Sequence, residues 1–251
     1  MSFAISRKVL MLSCSLAFGA ASEAAIVPLS ARLSEAPSVA GTGLNGAYYN
    51  TNAGLANNAA ADSFISSVGI PTATFHSTQP KYTAAAGNSI ADSSALNSFL
   101  GADGASLSSS GSNTLETSIF RFTGFLRIAP EMDTSAGGPI DVKFRVYSDD
   151  GMRLNIGGVT IDEYAAPRAW GYSDGIASFA AAGLYAIDLL YWENHGNTGV
   201  NMQWQTGADT AWATVATADL YSSRVPEPAS FALIAIGLLG MRRRLLDRAP
   251  R

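Results

Sequence analysis

The chain has 251 residues, of which only 14% are charged, with 24 glycines and one cysteine. Between Ala25 and Pro226 there are 9 Lys/Arg and 17 Asp/Glu, a formal charge of about −8. This argues against a nucleic-acid partner, because phosphate contacts need clustered cations, and is compatible with divalent cations. Cys14 is the sole thiol, so the remainder of the chain has neither a disulfide nor a thiolate metal site.

Residues 1–25 have the layout of a secretory signal peptide. Arg7 and Lys8 form the positive region and Val9 to Ala21 the apolar region. Ala20-Ala21-Ser22 or Ser22-Glu23-Ala24 supplies small residues for a signal peptidase. Residues 26–41, with Pro28 and Pro37, read as a linker. Leu44 to Asn50 reads as a strand. Ala60 to Val68 has helix-forming composition and meets Gly69 and Pro71 as stops. Thr72 to Ser77 alternates as a strand. Ser93 to Leu100 reads as a second short helix, with Ser93 as N-cap and Gly101 as its stop.

From Leu115 onward strand signals dominate. Glu116 to Ile128 is a long strand with a bulge expected at Gly124. Ile140 to Ser148 and Met152 to Ile156 each alternate with a period of two. Asp150-Gly151 between them reads as the tight turn of a β-hairpin. Val159 to Tyr164 is the next strand, followed by a loop over 165–174 that holds Arg168, Trp170 and Tyr172. Ile176 to Ala180, Leu184 to Trp192 and Gly199 to Gln205 complete the clear strands, and 208–224 is a terminal segment. The pattern predicts an all-β protein with two short helices, built as an antiparallel β-sandwich.

Two stretches carry chemistry. The first is Asp149-Asp150. A hairpin turn needs only one Asp before Gly, and a second adjacent carboxylate adds repulsion unless a cation or donors hold it. Hard oxygens in a loop suit Ca²⁺, which takes about 6–8 such ligands; a solvated turn is the plain alternative. The second is Glu193-Asn194-His195-Gly196-Asn197, a polar loop at a sheet end. A zinc site is disfavoured, because His195 and His76 are the only histidines. No Gly-x-Ser-x-Gly elbow is present, and neighbouring carboxylates on one turn do not flank a glycosidic bond, so a non-catalytic role is expected. Trp170 and Tyr172, beside Arg168, are candidates to stack on sugar rings, whereas Trp192 and Trp204 lie in strands and read as core.

Two family resemblances add to this reading. Pro226-Glu227-Pro228, the apolar run Phe231 to Met241 and Arg242-Arg243-Arg244 resemble the PEP-CTERM sorting signal. The apolar run would span only ~16 Å at about 1.5 Å per residue, short for a permanent anchor. The resemblance implies a Gram-negative host that makes exopolysaccharide, transient insertion in the inner membrane, cleavage by an exosortase and delivery to the cell surface or medium. The run Phe144 to Gly158, with Ala182 to Gly196 and Leu44 to Tyr49, resembles the PA-fourteen family over residues 42–207. That family implies a β-sandwich. In its sugar-binding members two adjacent Asp residues, matched here by Asp149 and Asp150, hold Ca²⁺ that in turn holds sugar hydroxyls. Asn194 and Asn197 are the nearest candidates for a second calcium loop, and Arg168, Trp170, Tyr172 and His195 for ligand contacts. A Ca²⁺-dependent carbohydrate or exopolysaccharide binder is thus expected, with a ligand-free structural protein of the matrix or biofilm as the alternative.

Overall fold

The computed structural model describes residues 23–109, 113–135 and 137–224. The expected leader up to residue 22 and the sorting signal from residue 225 lie outside the described residues. In chain order the first strands are β1 (Ala25–Val27), β2 (Arg32–Ser34), β3 (Leu44–Asn50), β4 (Ala73–Ser77), β5 (Lys81–Tyr82), β6 (Ile90–Ala91) and β7 (Ser108–Ser109). They are followed by β8 (Ser118–Ile128), β9 (Ile140–Asp149), β10 (Met152–Ile156), β11 (Val159–Tyr164) and β12 (Gly171–Phe179). The last four are β13 (Gly183–Glu193), β14 (Asn197–Thr206), β15 (Ala213–Thr214) and β16 (Leu220–Tyr221). Two short helices, α1 (Asn58–Val68) and α2 (Leu96–Leu100), interrupt the early strands.

The strands form two sheets packed as a sandwich. The seven-stranded sheet runs β1-β12-β9-β14-β15, with β5 and β6 also paired to β14. The nine-stranded sheet runs β11-β10-β13-β8-β3-β4-β7, with β16 against β8 and β2 against β13. Pairing is antiparallel except between β1 and β12. Alternation does the building: in β9 the residues Ile140, Val142, Phe144 and Val146 are buried while Asp141 and Lys143 are exposed, which is the period-two signature of a sheet with one wet face.

The core between the sheets is aromatic. Phe120 is fully buried, with its ring 5.3 Å from those of Tyr48 and Phe99 and 5.6 Å from that of Tyr191. A second apolar cluster lies on the opposite face of the nine-stranded sheet, where Ala61 and Ile65 of α1 meet Tyr49, Ile119, Leu190 and Trp192. Asn57 caps α1 by accepting the Ala60 N–H at 2.9 Å, and Gly69 ends it at φ 68°, a conformation glycine adopts without penalty.

Several expectations need correction. β9 and β10 are not a hairpin: β9 pairs with β12 and β14, whereas β10 pairs with β11 and β13. The Asp149–Gly151 corner carries the chain from one sheet to the other. Tyr172 belongs to β12 rather than to a loop, because β12 continues its pairing with β9 as far as Gly171↔Ser148. The stretch read as a linker contributes β2, and Ala25, placed in the leader, pairs with Ala177 in β1. The terminal segment supplies β15 and β16. Helix α2 starts at Leu96 with Ala95 at its N-cap, not Ser93. At Gly124 the register with β13 is unbroken; the glycine is needed instead because a Cβ there would lie 2.3 Å from the Tyr221 carbonyl oxygen.

Candidate functional site

The site grows out of two crossings between sheets at one end of the sandwich. The first is the corner between β9 and β10. The second is the 194–196 segment, which takes the chain from β13 to β14. Pairing of Gly199 with Asp149 brings them side by side. The Asp150 N–H donates to the Trp192 carbonyl at 3.2 Å and the Trp192 N–H donates to the Gly151 carbonyl at 3.0 Å. The Asp149–Asp150 peptide bond is cis. Gly151 is required by close approach, since a Cβ there would meet the Trp192 indole at 2.4 Å.

Asp149 and Asp150 are each only 7% exposed. The Asp150 carboxylate accepts the backbone N–H of Arg168 on one oxygen and that of Asn194 on the other, both at 2.9 Å. It thereby ties the 165–170 loop to the 194–196 crossing. Burial pushes its pKa up, and the two backbone donors and the nearby His195 pull against that rise. Burial likewise raises Asp149, with Asp150 adding repulsion and the Ser89 hydroxyl, the Trp170 N–H and the Arg168 charge opposing it. Two carboxylates held together at low exposure favour any added positive charge.

A layer of polar groups supports the pair. The Tyr191 hydroxyl donates to the Asp149 carbonyl at 2.6 Å, lies 2.6 Å from the Thr198 hydroxyl and accepts the Gly199 N–H at 2.8 Å. Ser148 donates to the Asp150 carbonyl at 2.6 Å. Glu193 is fully buried, and neither of its carboxyl oxygens has a hydrogen-bond partner among the described residues. Burial first, then repulsion from Asp150 and Asp149, pushes its pKa up to about 10, so it is a neutral acid at pH 7.

Asp149, Asp150, Arg168, His195 and Asn197 line one open pocket of about 440 Å³. Asn197 is exposed. The His195 Nδ1 lies 2.8 Å from Glu116 at the rim. Three residues are placed differently from expectation. The Asn194 side chain is engaged by Leu55, accepting its N–H at 2.6 Å and donating to its carbonyl at 3.0 Å, and therefore faces away from the carboxylates. The Arg168 guanidinium donates to the Ser148 hydroxyl at 2.7 Å and stacks 4.2 Å over the Tyr164 ring, so its backbone N–H and its charge, rather than a free side chain, serve the site. Tyr172 points out from the face of β12 and is 51% exposed. Trp170 sits between, stacked on Tyr147 at 5.5 Å and close over Gly199. Trp192 and Trp204 are core, at 0% and 7% exposure.

The donor set fits a hard divalent cation. Each Asp150 oxygen accepts one backbone N–H and keeps a lone pair, and Asn197 and main-chain carbonyls stand at the same pocket. No group of three or more His, Cys, Asp and Glu side chains in metal-holding geometry occurs among the described residues. A cation needing about 6–8 oxygens would take the remainder from amides, carbonyls, water and a bound ligand.

Near the site, Asp162 is 6% exposed and accepts from the Ser173 hydroxyl at 3.1 Å. Burial raises its pKa to about 6. The folded state therefore holds this proton more tightly than the unfolded chain does. Its contribution is fully present below the unfolded value near pH 4 and is lost as pH rises through about 6. Asp162→Asn is expected to match the parent in urea titrations below pH 4 and to exceed it by roughly 2 kcal/mol at pH 7; equal stability at both pH values would refute the assignment.

The comparisons with known proteins follow this geometry. The PEP-CTERM protein-sorting motif matches residues 224–244. Among solved structures, the PA14 (PA-fourteen) domain of the antifreeze protein MpAFP aligns with a TM-score of 0.63 at 21% identity, covering 76% of this chain and 97% of that one. The PA14 sugar-binding domain of an RTX adhesin aligns with a TM-score of 0.59 at 24% identity, covering 74% and 99%. The Epithelial Adhesin 6 A domain of Candida glabrata, in complex with Galβ1-3GlcNAc, aligns with a TM-score of 0.50 at 14% identity, covering 76% and 92%. No curated protein matches the sequence. The protein thus has the PA14 fold, an antiparallel β-sandwich, and carries a PEP-CTERM sorting motif, as both resemblances imply.

Proposed function

We propose that this is an exported, non-catalytic carbohydrate-binding module that uses Ca²⁺ at the Asp149–Asp150 corner. The carrying observation is the pair of carboxylates, each 7% exposed at the lip of an open pocket, with the only nearby cationic side chain, Arg168, directed to Ser148. Asp149 and Asp150 would hold the cation, with Asn197 and main-chain carbonyls of the 194–197 stretch. Asn194 contributes through its backbone N–H to Asp150 rather than through its amide. When bound, Ca²⁺ supplies positive charge and open coordination positions for vicinal sugar hydroxyls. Trp170 and His195 flank the pocket and would bound the sugar.

The RTX-adhesin and Candida adhesin domains support the ligand class, since their descriptions name sugar binding or a bound disaccharide. The sorting motif supports export, removal of the tail by an exosortase after transient inner-membrane insertion, and delivery of the module to the surface or the exopolysaccharide around it. On a glycan array the mature protein is expected to bind in Ca²⁺, to lose binding in chelator, and to lose it when Asp149 and Asp150 are both changed to Asn. Binding that persists in all three conditions would overturn the proposal. A structural reading is favoured by one observation: Asp150 already ties two loops through backbone N–H groups. On that reading the double variant leaves cell adhesion and matrix formation intact.

A further inference from the structure

The outward face of the seven-stranded sheet carries an aromatic strip that the pocket does not use. Cross-strand register sets Tyr172 opposite Tyr147 and Asp174 opposite Arg145, with Gln203 on the other side of Arg145. The Arg145 guanidinium lies 3.8 Å from the centre of the Tyr172 ring and 4.3 Å from that of Trp212. Asp174 grips it with two hydrogen bonds of 2.7 Å. The Tyr147 ring is 5.2 Å from Tyr172 and 5.5 Å from Trp170. Four aromatic rings and one guanidinium thus run unbroken from the edge of the cation pocket across three strands to Trp212.

Isolated exposed aromatics need no explanation, but a contiguous strip on a wet sheet face does. Its charge is internally neutralised by the Arg145–Asp174 pair. Its remaining groups are amide and hydroxyl rather than aliphatic, which is unlike the apolar centre of a protein–protein contact. A flat row of rings bordered by hydrogen-bonding groups offers stacking to the C–H faces of pyranoses and donors to their hydroxyls. We infer that this strip is a second, cation-independent glycan surface that takes a linear, equatorially linked polysaccharide lying along the sheet. The choice of a glycan over a protein partner rests in part on the function proposed for the neighbouring pocket, through Trp170, which joins the two.

The test is native affinity electrophoresis of the mature protein in gels containing hydroxyethylcellulose, laminarin or alginate, run in EDTA. Retardation by at least one of the three is expected to persist in chelator and in the Asp149→Asn/Asp150→Asn variant. It is expected to weaken roughly tenfold when Tyr172 and Trp212 are both changed to Ala and to survive in Tyr172→Trp. Circular dichroism and melting check the fold, and Tyr172→Ala alone, at a half-exposed position, covers the case in which the double variant misfolds. Absence of chelator-resistant retardation, or equal retardation of parent and Tyr172→Ala, overturns the inference. A change of sedimentation state in the strip variants without any glycan effect assigns the face to protein contact and overturns it equally. Failure of the cation pocket leaves the EDTA result untouched, so the two proposals fail separately.

Discussion

Asp150→Ala is expected to lower stability by roughly 2–3 kcal/mol even in calcium-free buffer. Two effects compete. Removing the carboxylate relieves a buried charge whose pKa burial has raised. It also strips the acceptor from the Arg168 and Asn194 N–H groups, and hydrogen bonds to charged groups are worth about 1.5–3 kcal/mol each. Two such losses outweigh one relief. At about 2–4 °C per kcal/mol for a domain of this size, the melting temperature in EDTA should fall by roughly 5–10 °C. The parent should then gain stability on adding Ca²⁺ while Asp150→Ala gains none. A variant that melts with the parent in EDTA would show that the corner is solvated and that the two crossings are not tied through this side chain.

Phe120→Ala is expected to cost about 3–5 kcal/mol, the range for truncating a buried aromatic, out of a total of roughly 5–15 kcal/mol for a domain. Phe120 is fully buried among Tyr48, Phe99 and Tyr191. The effect should reach the pocket as well. Tyr191 stacks on Phe120 and its hydroxyl holds the Asp149 carbonyl, so a cavity beside its ring loosens the cation corner. Urea unfolding should show the large loss, with Phe120→Leu losing about half as much. Calcium affinity should fall in the variant at temperatures where it remains folded. A loss below about 1 kcal/mol would mean that the site collapses around the gap.

The sequence and the structure agree most closely where burial is periodic. Leu44–Asn50 was legible as a strand to the residue, and α1 to within two residues, because alternation and glycine stops act locally. The β9–β10 corner was misread for a physical reason. Asp-Gly between two alternating runs marks a tight turn, but alternation says only that each strand buries one face, not which sheet it joins. What distinguishes a corner from a hairpin is the partner strand, and those partners, β12 with β14 and β11 with β13, are far along the chain. The carboxylate pair itself was legible from its redundancy.

The support around that pair was not. Tyr191 sits in the apolar run Leu189 to Trp192, where a core tyrosine and a hydrogen-bonding hub look the same. Ser148 follows the buried phase of β9 like any small residue. Asn194 was read as a loop amide free to bind, but Leu55, 139 positions away, takes both ends of it. Trp212 had no visible role until β15 placed it beside Arg145.

The most direct measurement is an isothermal calorimetric titration of Ca²⁺ into the mature protein, run beside the Asp149→Asn/Asp150→Asn variant. A saturable heat in the parent and none in a variant that still unfolds cooperatively is the predicted result. No heat and no thermal shift in the parent, or the same isotherm in both proteins, would contradict a cation at this corner.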